Sequence, residues 1–225
     1  MAGSIAPNTV TDGLVLALDA ANQKSYPGSG TVWTDLSGNG NNGTLLNGVG
    51  YSGDNLGALT FDGVNDYVNF SFVNPFAETV IVWAKSATST WNQYGWISSS
   101  RRQNGHIIHP NPGNKSVNMY FYNSSASYTS IGSVTPDNIT IPHMYCITTN
   151  GSNSHKIYFD GEFIRESTTF ISRTASPTNQ VWYLGRDDAA VRYGSGNIYS
   201  SLRYNRALSS QEILQNYNAT KTRFI

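Results

Sequence analysis

An all-β chain folded as an antiparallel sandwich is what this sequence predicts. Its 225 residues break into short β-branched and aromatic runs bounded by Gly, Asn, Pro and Ser clusters, without the strand-helix alternation of βαβ units. Only 12% of the residues are charged, and no charge run or internal repeat interrupts the pattern. The clearest local signal is Ile157-Tyr158-Phe159 joined to Phe163-Ile164 through Asp160-Gly161. That dipeptide favours a type I′ turn, because both central residues must adopt positive φ.

In chain order, the runs place strands at Leu14–Leu18, Ala58–Phe61, Tyr67–Phe70, Thr79–Ala84, Gly95–Ser99 and Val117–Tyr122. Further strands follow at Tyr145–Thr149, Lys156–Phe159, Phe163–Glu166, Val181–Leu184 and Ile198–Asn205. The segment from Ala21 to Gly50, dense in Gly, Ser and Asn, reads as a long loop. One helix is predicted near the C-terminus. Ser209 is its N-cap and Glu212, three residues on, completes a capping box, with Leu208 and Ile213 placed for a hydrophobic staple. Ile213, Leu214 and Tyr217 then share the face that lies on the sandwich, and the helix ends near Asn218.

A chain of this length buries roughly 70% of its unfolded surface, so the core needs neither disulfide nor metal. The single cysteine, Cys146 in Met144-Tyr145-Cys146-Ile147, is expected as a small apolar core residue. Lys plus Arg equals Asp plus Glu, which argues against a nucleic-acid partner held by counterion release. No stretch approaches the ~20 apolar residues of a membrane-spanning helix, so no membrane insertion is expected. The N-terminus lacks the basic and apolar regions of a cleaved signal, so secretion by that route is not expected either. Triplets such as Asn123-Ser124-Ser125 are therefore read as chance in an Asn/Ser/Thr-rich chain.

Three sets of side chains are candidates for a site. Trp91, Tyr94 and Trp96 cluster in one segment, and Tyr120, Tyr122 and Tyr128 in another. Such rings stack on the apolar face of a sugar while polar neighbours fix its hydroxyls. They equally suit a core, since Tyr120 and Tyr122 alternate with Val117, Met119 and Phe121, and only one of these sets faces out. Asp35, Asp62 and Asp66 fall in Asn- and Gly-rich loops, where they serve either as oxygen ligands for Ca²⁺ or as Asx-turn acceptors. His106 and His109, three apart, point to opposite faces of an extended strand, so a shared metal needs a turn at Pro110. Their ordinary reading is as exposed loop residues, and His143 and His155 read as structural.

Three longer stretches, taken together and in this order, carry a resemblance: Trp33-Thr34-Asp35-Leu36-Ser37-Gly38-Asn39-Gly40-Asn41-Asn42-Gly43-Thr44, Leu59-Thr60-Phe61-Asp62-Gly63-Val64-Asn65-Asp66-Tyr67-Val68 and Tyr204-Asn205-Arg206-Ala207-Leu208-Ser209-Ser210-Gln211-Glu212-Ile213. With Val80–Lys85, Lys156–Gly161 and Leu184-Gly185-Arg186, they resemble the laminin-G-like branch of the concanavalin A-like lectin/glucanase superfamily from about Asp12 to Tyr217. The resemblance implies a concanavalin A-like antiparallel β-sandwich, a jelly roll with one short C-terminal helix. It implies a single domain over 1–225, with a core of about 12–217 and terminal arms 1–11 and 218–225. The superfamily's glucanases carry Glu-x-Asp-x-Glu on one strand. Here only Glu78, Glu162, Glu166 and Glu212 are present, and Glu162 and Glu166 would stand about 13 Å apart along a strand. A non-enzyme without a cofactor is expected. Relatives that bind calcium at the sandwich rim keep that ion open at Asp35, Asp62 and Asp66.

The opening Asp12–Asn22, followed by Ser25-Tyr26-Pro27-Gly28-Ser29-Gly30, resembles laminin-G-like proteins of tailed bacteriophages. This implies a structural protein of the virion, displayed on capsid or tail. Its partners would be other virion proteins, copies of itself and host-surface glycans, with a soluble lectin-like or adhesin module as the alternative. Under the virion reading, the segments Met1–Asn8 and Lys221–Ile225 are expected to be buried by neighbouring chains, Phe224 and Ile225 being otherwise exposed.

Overall fold

The computed structural model describes residues 8–72, 75–100, 105–123, 127–171, 180–187 and 191–224. Among them, the strands form two eight-stranded antiparallel sheets packed face to face, a concanavalin A-like jelly roll with one short helix near the C-terminus. The first sheet runs β14 (Glu162–Ser167), β13 (His155–Phe159), β12 (His143–Thr149), β7 (Glu78–Ser86), β16 (Ser195–Tyr204), β5 (Ala58–Asp62) and β4 (Gly50–Ser52), with β1 (Leu14–Asp19) also paired to β16. The second runs β11 (Tyr128–Val134), β10 (Val117–Tyr122), β9 (His106–Pro110), β8 (Ser98–Ser99), β15 (Gln180–Leu184), β6 (Tyr67–Phe72), β3 (Gly43–Leu46) and β2 (Val32–Trp33).

The central strand β7 explains its own sequence. Val80, Val82 and Ala84 point into the core between the sheets, and Ile81 and Trp83 point to the far side of the first sheet. Both faces are buried, so the run Thr79–Ala84 is nearly continuous in apolar character instead of alternating. The far side is covered by α1 (Ser210–Thr220). Its capping box is formed as expected: Ser209 Oγ accepts from the Glu212 amide and Glu212 Oε2 accepts from the Ser209 amide. The face it buries differs from expectation. Ile213 and Asn216 are buried while Leu214 is exposed, because Asn216 closes a polar knot in which its Oδ1 accepts from the Val10 amide and its Nδ2 donates to Tyr204 Oη.

The C-terminal tail also departs from expectation. Phe224 does not await a neighbouring chain: it stacks on Trp83 at 4.2 Å between ring centres and meets Tyr199 edge-on at 5.1 Å. Arg223 fastens the same tail to Asp19 and to the carbonyls of Asn55 and Gly57. The tail is therefore pinned by its own sandwich. Ile225 and residues 1–7 lie outside the described residues.

Other differences concern strands. The segment Ala21–Gly50 contains β2 and β3, and the strands β4, β9 and β11 are not expected from pattern. Conversely, the strand expected at Gly95–Ser99 shrinks to Ser98–Ser99, because Gly95 sits at φ +68° and turns the chain out of extended geometry. The Asp160-Gly161 turn is as expected, with φ of 48° and 83°. In that turn Asp160 Oδ2 lies 2.7 Å from His143 Nδ1, and the Asn138 carbonyl lies 2.7 Å from Nε2.

Between the sheets sits a buried polar anchor. Arg203 of β16 donates to Glu78 of β7 through Nε at 3.1 Å and Nη2 at 2.7 Å, both side chains being fully buried. Glu78 also approaches His106 of the opposite sheet at 3.6 Å, and His106 Nε2 lies 2.7 Å from Ser98 Oγ, which accepts from Trp182 Nε1 at 2.7 Å. The anchor thus connects strands of both layers.

Arg203→Ala leaves the Glu78 carboxylate buried without its main partner and should cost about 3–5 kcal/mol in urea denaturation; a cost below about 1 kcal/mol would show that the pair is incidental. For His143, burial opposes the imidazolium, but the hydrogen bond and charge of Asp160, with the Asn138 carbonyl, outweigh it and raise the pKa. The pair's contribution to stability is then full below the unfolded value of about 6.5 and is lost as pH rises through the higher folded value. NMR titration should place His143 above the ordinary histidine value, and Asp160→Asn, which keeps the turn, should bring it down. An unchanged His143 titration in that variant would refute the assignment.

Candidate ligand-binding site

Strand pairing sets one row of side chains across the whole second sheet. Reading directly opposed residues from β2 to β11, the row is Val32, Thr44, Asn69, Tyr183, Ser99, Ile107, Tyr120 and Ser130. Opposed residues share a sheet face. Their chain neighbours Val68, Phe70, Trp182, Leu184, Ile108, Met119 and Phe121 belong to the core, so this row faces away from the core.

The outward face carries a chain of rings. Tyr94 lies 5.1 Å from His109, His109 lies 5.7 Å edge-on from Tyr120, and Tyr120 lies 5.2 Å edge-on from Tyr128. Tyr122 meets Tyr128 at 5.4 Å. Tyr128 is 57% exposed and Tyr94 38% exposed, so these rings have open faces. Burial pushes the Tyr120 phenol above its ordinary value despite its contact with Asn118, so it remains a neutral donor and acceptor at pH 7. Three strand spacings away along the row, ~14 Å at ~4.8 Å per strand, a second group gathers around Arg186. Its guanidinium carbon is 4.8 Å from the Tyr67 ring centre, 4.7 Å from Tyr183 and 5.5 Å from Tyr193.

Between the two groups the chain folds back over the sheet. Gly95 is wedged there: a Cβ would stand 2.8 Å from Ile107 Cδ1 and 3.1 Å from Asp187 Cγ. This overlap buries Ile107, although it belongs to the outward row. Asp187, also buried, is bonded by Arg192 Nη1 at 3.1 Å, and the Arg192 guanidinium lies 5.0 Å from the Tyr94 ring centre. Amides of Asn69 and Asn118 stand on the same face, half-buried among the rings. Open rings beside amides can hold the apolar side of a sugar and hydrogen-bond its hydroxyls.

The structure divides the residues read from sequence. Tyr94, Tyr120 and Tyr128 come together on this face. Tyr122 joins them but is only 7% exposed. Trp91 and Trp96 are corrected: at 1% and 0% exposure they are core rings, meeting each other edge-on at 5.7 Å, and no ligand can stack on them. Tyr67, Tyr183, Tyr193, His109 and Arg186 were missed. The alternation Trp182-Tyr183-Leu184 and Tyr67-Val68-Asn69-Phe70 already marked which side chains leave the core, but nothing local in sequence marks β6 and β15 as partners.

The three aspartates are not gathered. Asp35 Oδ1 accepts from the Ala17 and Ser37 amides, and its Oδ2 accepts from Ser37 Oγ and the Asn41 amide, which makes it the knot that ties a loop to β1. Asp62 Oδ1 accepts from the Val64 amide as an Asx-turn, and Asp66 Oδ2 accepts from the Asp62 amide at 3.2 Å. Burial is the main cause that raises the Asp66 pKa, with Asp62 adding to it. Among the described residues no group of three or more His, Cys, Asp or Glu side chains is placed to hold a metal. His106 and His109 are strand residues on opposite faces of β9, not loop residues. His155 is bonded to Thr149 Oγ1 and the Thr169 carbonyl inside the fold.

Among curated proteins none matches this sequence significantly. In structure the chain is similar to the binding domain of botulinum neurotoxin serotype D, with a TM-score of 0.73 and 16% identity over 95% of this chain and 53% of that one. It is also similar to the binding domain of Paraclostridial Mosquitocidal Protein 1, with a TM-score of 0.71 and 16% identity over 93% of this chain and 52% of that one. The binding domain of botulinum neurotoxin DC in complex with SialylT gives a TM-score of 0.71 at 14% identity, over 93% and 52% of the two chains. This chain spans about half the length of those solved domains, and the likeness at such identity is one of fold. The family model described as the concanavalin A-like lectin/glucanases superfamily matches residues 61–214. Matched over more than half its length, the chain belongs to the laminin-G-like family of that superfamily.

Proposed function

We propose that this chain is a lectin-like binding module, not an enzyme, whose outward second-sheet face holds glycans by ring stacking and amide hydrogen bonds. The observation that carries the reading is the set of rings on one sheet face, with Tyr94 and Tyr128 exposed, that shares this face with the half-buried amides of Asn69 and Asn118. The solved domains similar in fold are binding domains, one of them in complex with SialylT, which supports the same class of activity. The carboxylates support it from the other side. Glu78 is tied to Arg203 in the interior, Glu212 caps α1 and pairs with Arg206, and Glu166 accepts from Ser154 Oγ on the edge strand β14. Each of these three glutamates is engaged in a structural contact of the fold.

The setting suggested by the resemblance to phage proteins is the surface of a tailed-phage particle, with the module touching host glycans; a protein inventory of purified particles lacking this chain would remove that setting. The tail that packs on its own sandwich favours recognition over cementing as the main role there.

A glycan array probed with the free protein is expected to give binding that Tyr120→Ala and Tyr183→Ala each weaken by about 1 kcal/mol, the usual worth of one ring contact. Binding is expected to survive a chelator, since among the described residues no group of three His, Cys, Asp or Glu side chains is placed to hold a metal. A correctly folded protein that binds no glycan would overturn the proposal, and loss of binding on chelation would restore calcium to the site.

A further inference from the structure

We propose that the Arg186 end of this face takes a carboxylated sugar, so that the ligand is an acidic glycan; this rests on the glycan-binding reading above and names its ligand class. Arg186 is half-buried against three tyrosine rings, yet its charge has no carboxylate partner among the described residues. Its Nε donates to the Asp187 carbonyl at 3.3 Å. The nearest acid along the chain, Asp187, is fully buried and already bonded by Arg192. Rings at 4.7, 4.8 and 5.5 Å hold the guanidinium by cation–π attraction, which fixes its plane without neutralising it.

The backbone holds this arrangement in place. Arg186 and Tyr193 form an isolated antiparallel bridge, the Gly194 amide donates to the Gly185 carbonyl, and Tyr183 is in register with Asn69 on the neighbouring strand. A guanidinium fixed in this way presents two parallel N–H donors, the geometry that matches a carboxylate and that an ammonium cannot reproduce. A neutral sugar would need only the rings and amides. The guanidinium beside them, without a carboxylate partner among the described residues, is what selects an acidic one.

The test compares acidic with neutral probes, sialyllactose against lactose and glucuronate-terminated against glucose-terminated disaccharides, with each acid also as its methyl ester, which removes the charge and keeps the sugar, and each neutral sugar also in sulfated form. For the whole chain, the free acid is expected to bind at least tenfold tighter than its neutral or esterified counterpart, with the advantage shrinking as salt rises. Arg186→Gln should abolish that preference, so that acid and ester bind alike, and Arg186→Lys should retain only a small part of it. Equal binding of acid and ester by the unaltered protein, a preference for sulfated over carboxylated probes, or a preference that persists in Arg186→Gln would overturn the proposal while leaving a glycan site intact. Binding of no probe at all would overturn the glycan-binding reading with it. The ester comparison needs no variant and so decides the matter even if Arg186→Gln folds poorly.

Discussion

The register of the second sheet is the constraint on which the outward face depends. Side chains alternate with period two along a strand, so a slip of one residue would send Tyr120 and Tyr183 into the core and Met119 and Trp182 to solvent. The aliphatic and Trp partners on the inner face make that slip prohibitive. Trp182 stacks on Phe70 at 4.5 Å and donates its indole N–H to Ser98, so β15 is fixed against β6 and β8 at once. Once register is set, the rows of β6, β15, β9, β10 and β11 fall into line and the tyrosines meet without any contact of their own having to organise them.

The polar anchor around Glu78 and Arg203 acts on the relation between layers instead. Apolar contacts between two sheets are non-directional and tolerate sliding. The buried Glu78–Arg203 pair lies within the first sheet and resists sliding through what it meets on the other layer, since a displacement would strip its charges of those contacts in a medium of low dielectric. The approach of His106 to Glu78, and of the Arg203 guanidinium to the Trp182 ring at 5.4 Å, ties this pair to the same strands that carry the outward tyrosines. On the far side of the first sheet, α1 and the stacked Phe224 cover part of the other apolar face and leave a cavity of about 410 Å³ lined by Leu14, Ile81, Trp83, Met144 and Leu202, whereas the outward side of the second sheet is the ring-rich surface.

Much of this was legible in the chain. The strands whose sequences alternate or run apolar for five or more residues, such as β7, β10 and β12, were placed within two residues, and the capping box and the Asp160-Gly161 turn were read with their geometry. The misses have physical causes. In β9, two isoleucines stand between histidines and Pro110 ends the run, which looks like a turn until a neighbour supplies the pairing. In β11, Ser and Gly dilute the pattern, and β2 and β3 are too short to show any period. For the site, sequence clustering pointed at Trp91–Trp96, but local density of rings does not say which of them a loop folds inward. Arg186 and its tyrosines come from residues 67, 183, 186 and 193, a grouping that only strand pairing creates.

The central claim is that the ring-bearing outward face is where a ligand sits, and tyrosine-ring NMR shifts report on it directly, since 14 tyrosines are spread over the fold. Titrating the whole protein with a glycan mixture should move the ring signals of Tyr67, Tyr183, Tyr193, Tyr120 and Tyr128 together. The buried rings of Tyr145, Tyr158 and Tyr204 should stay unmoved. Shifts confined to Tyr51 and other rings away from the second sheet's outward face, with the five outward rings silent, would contradict the account.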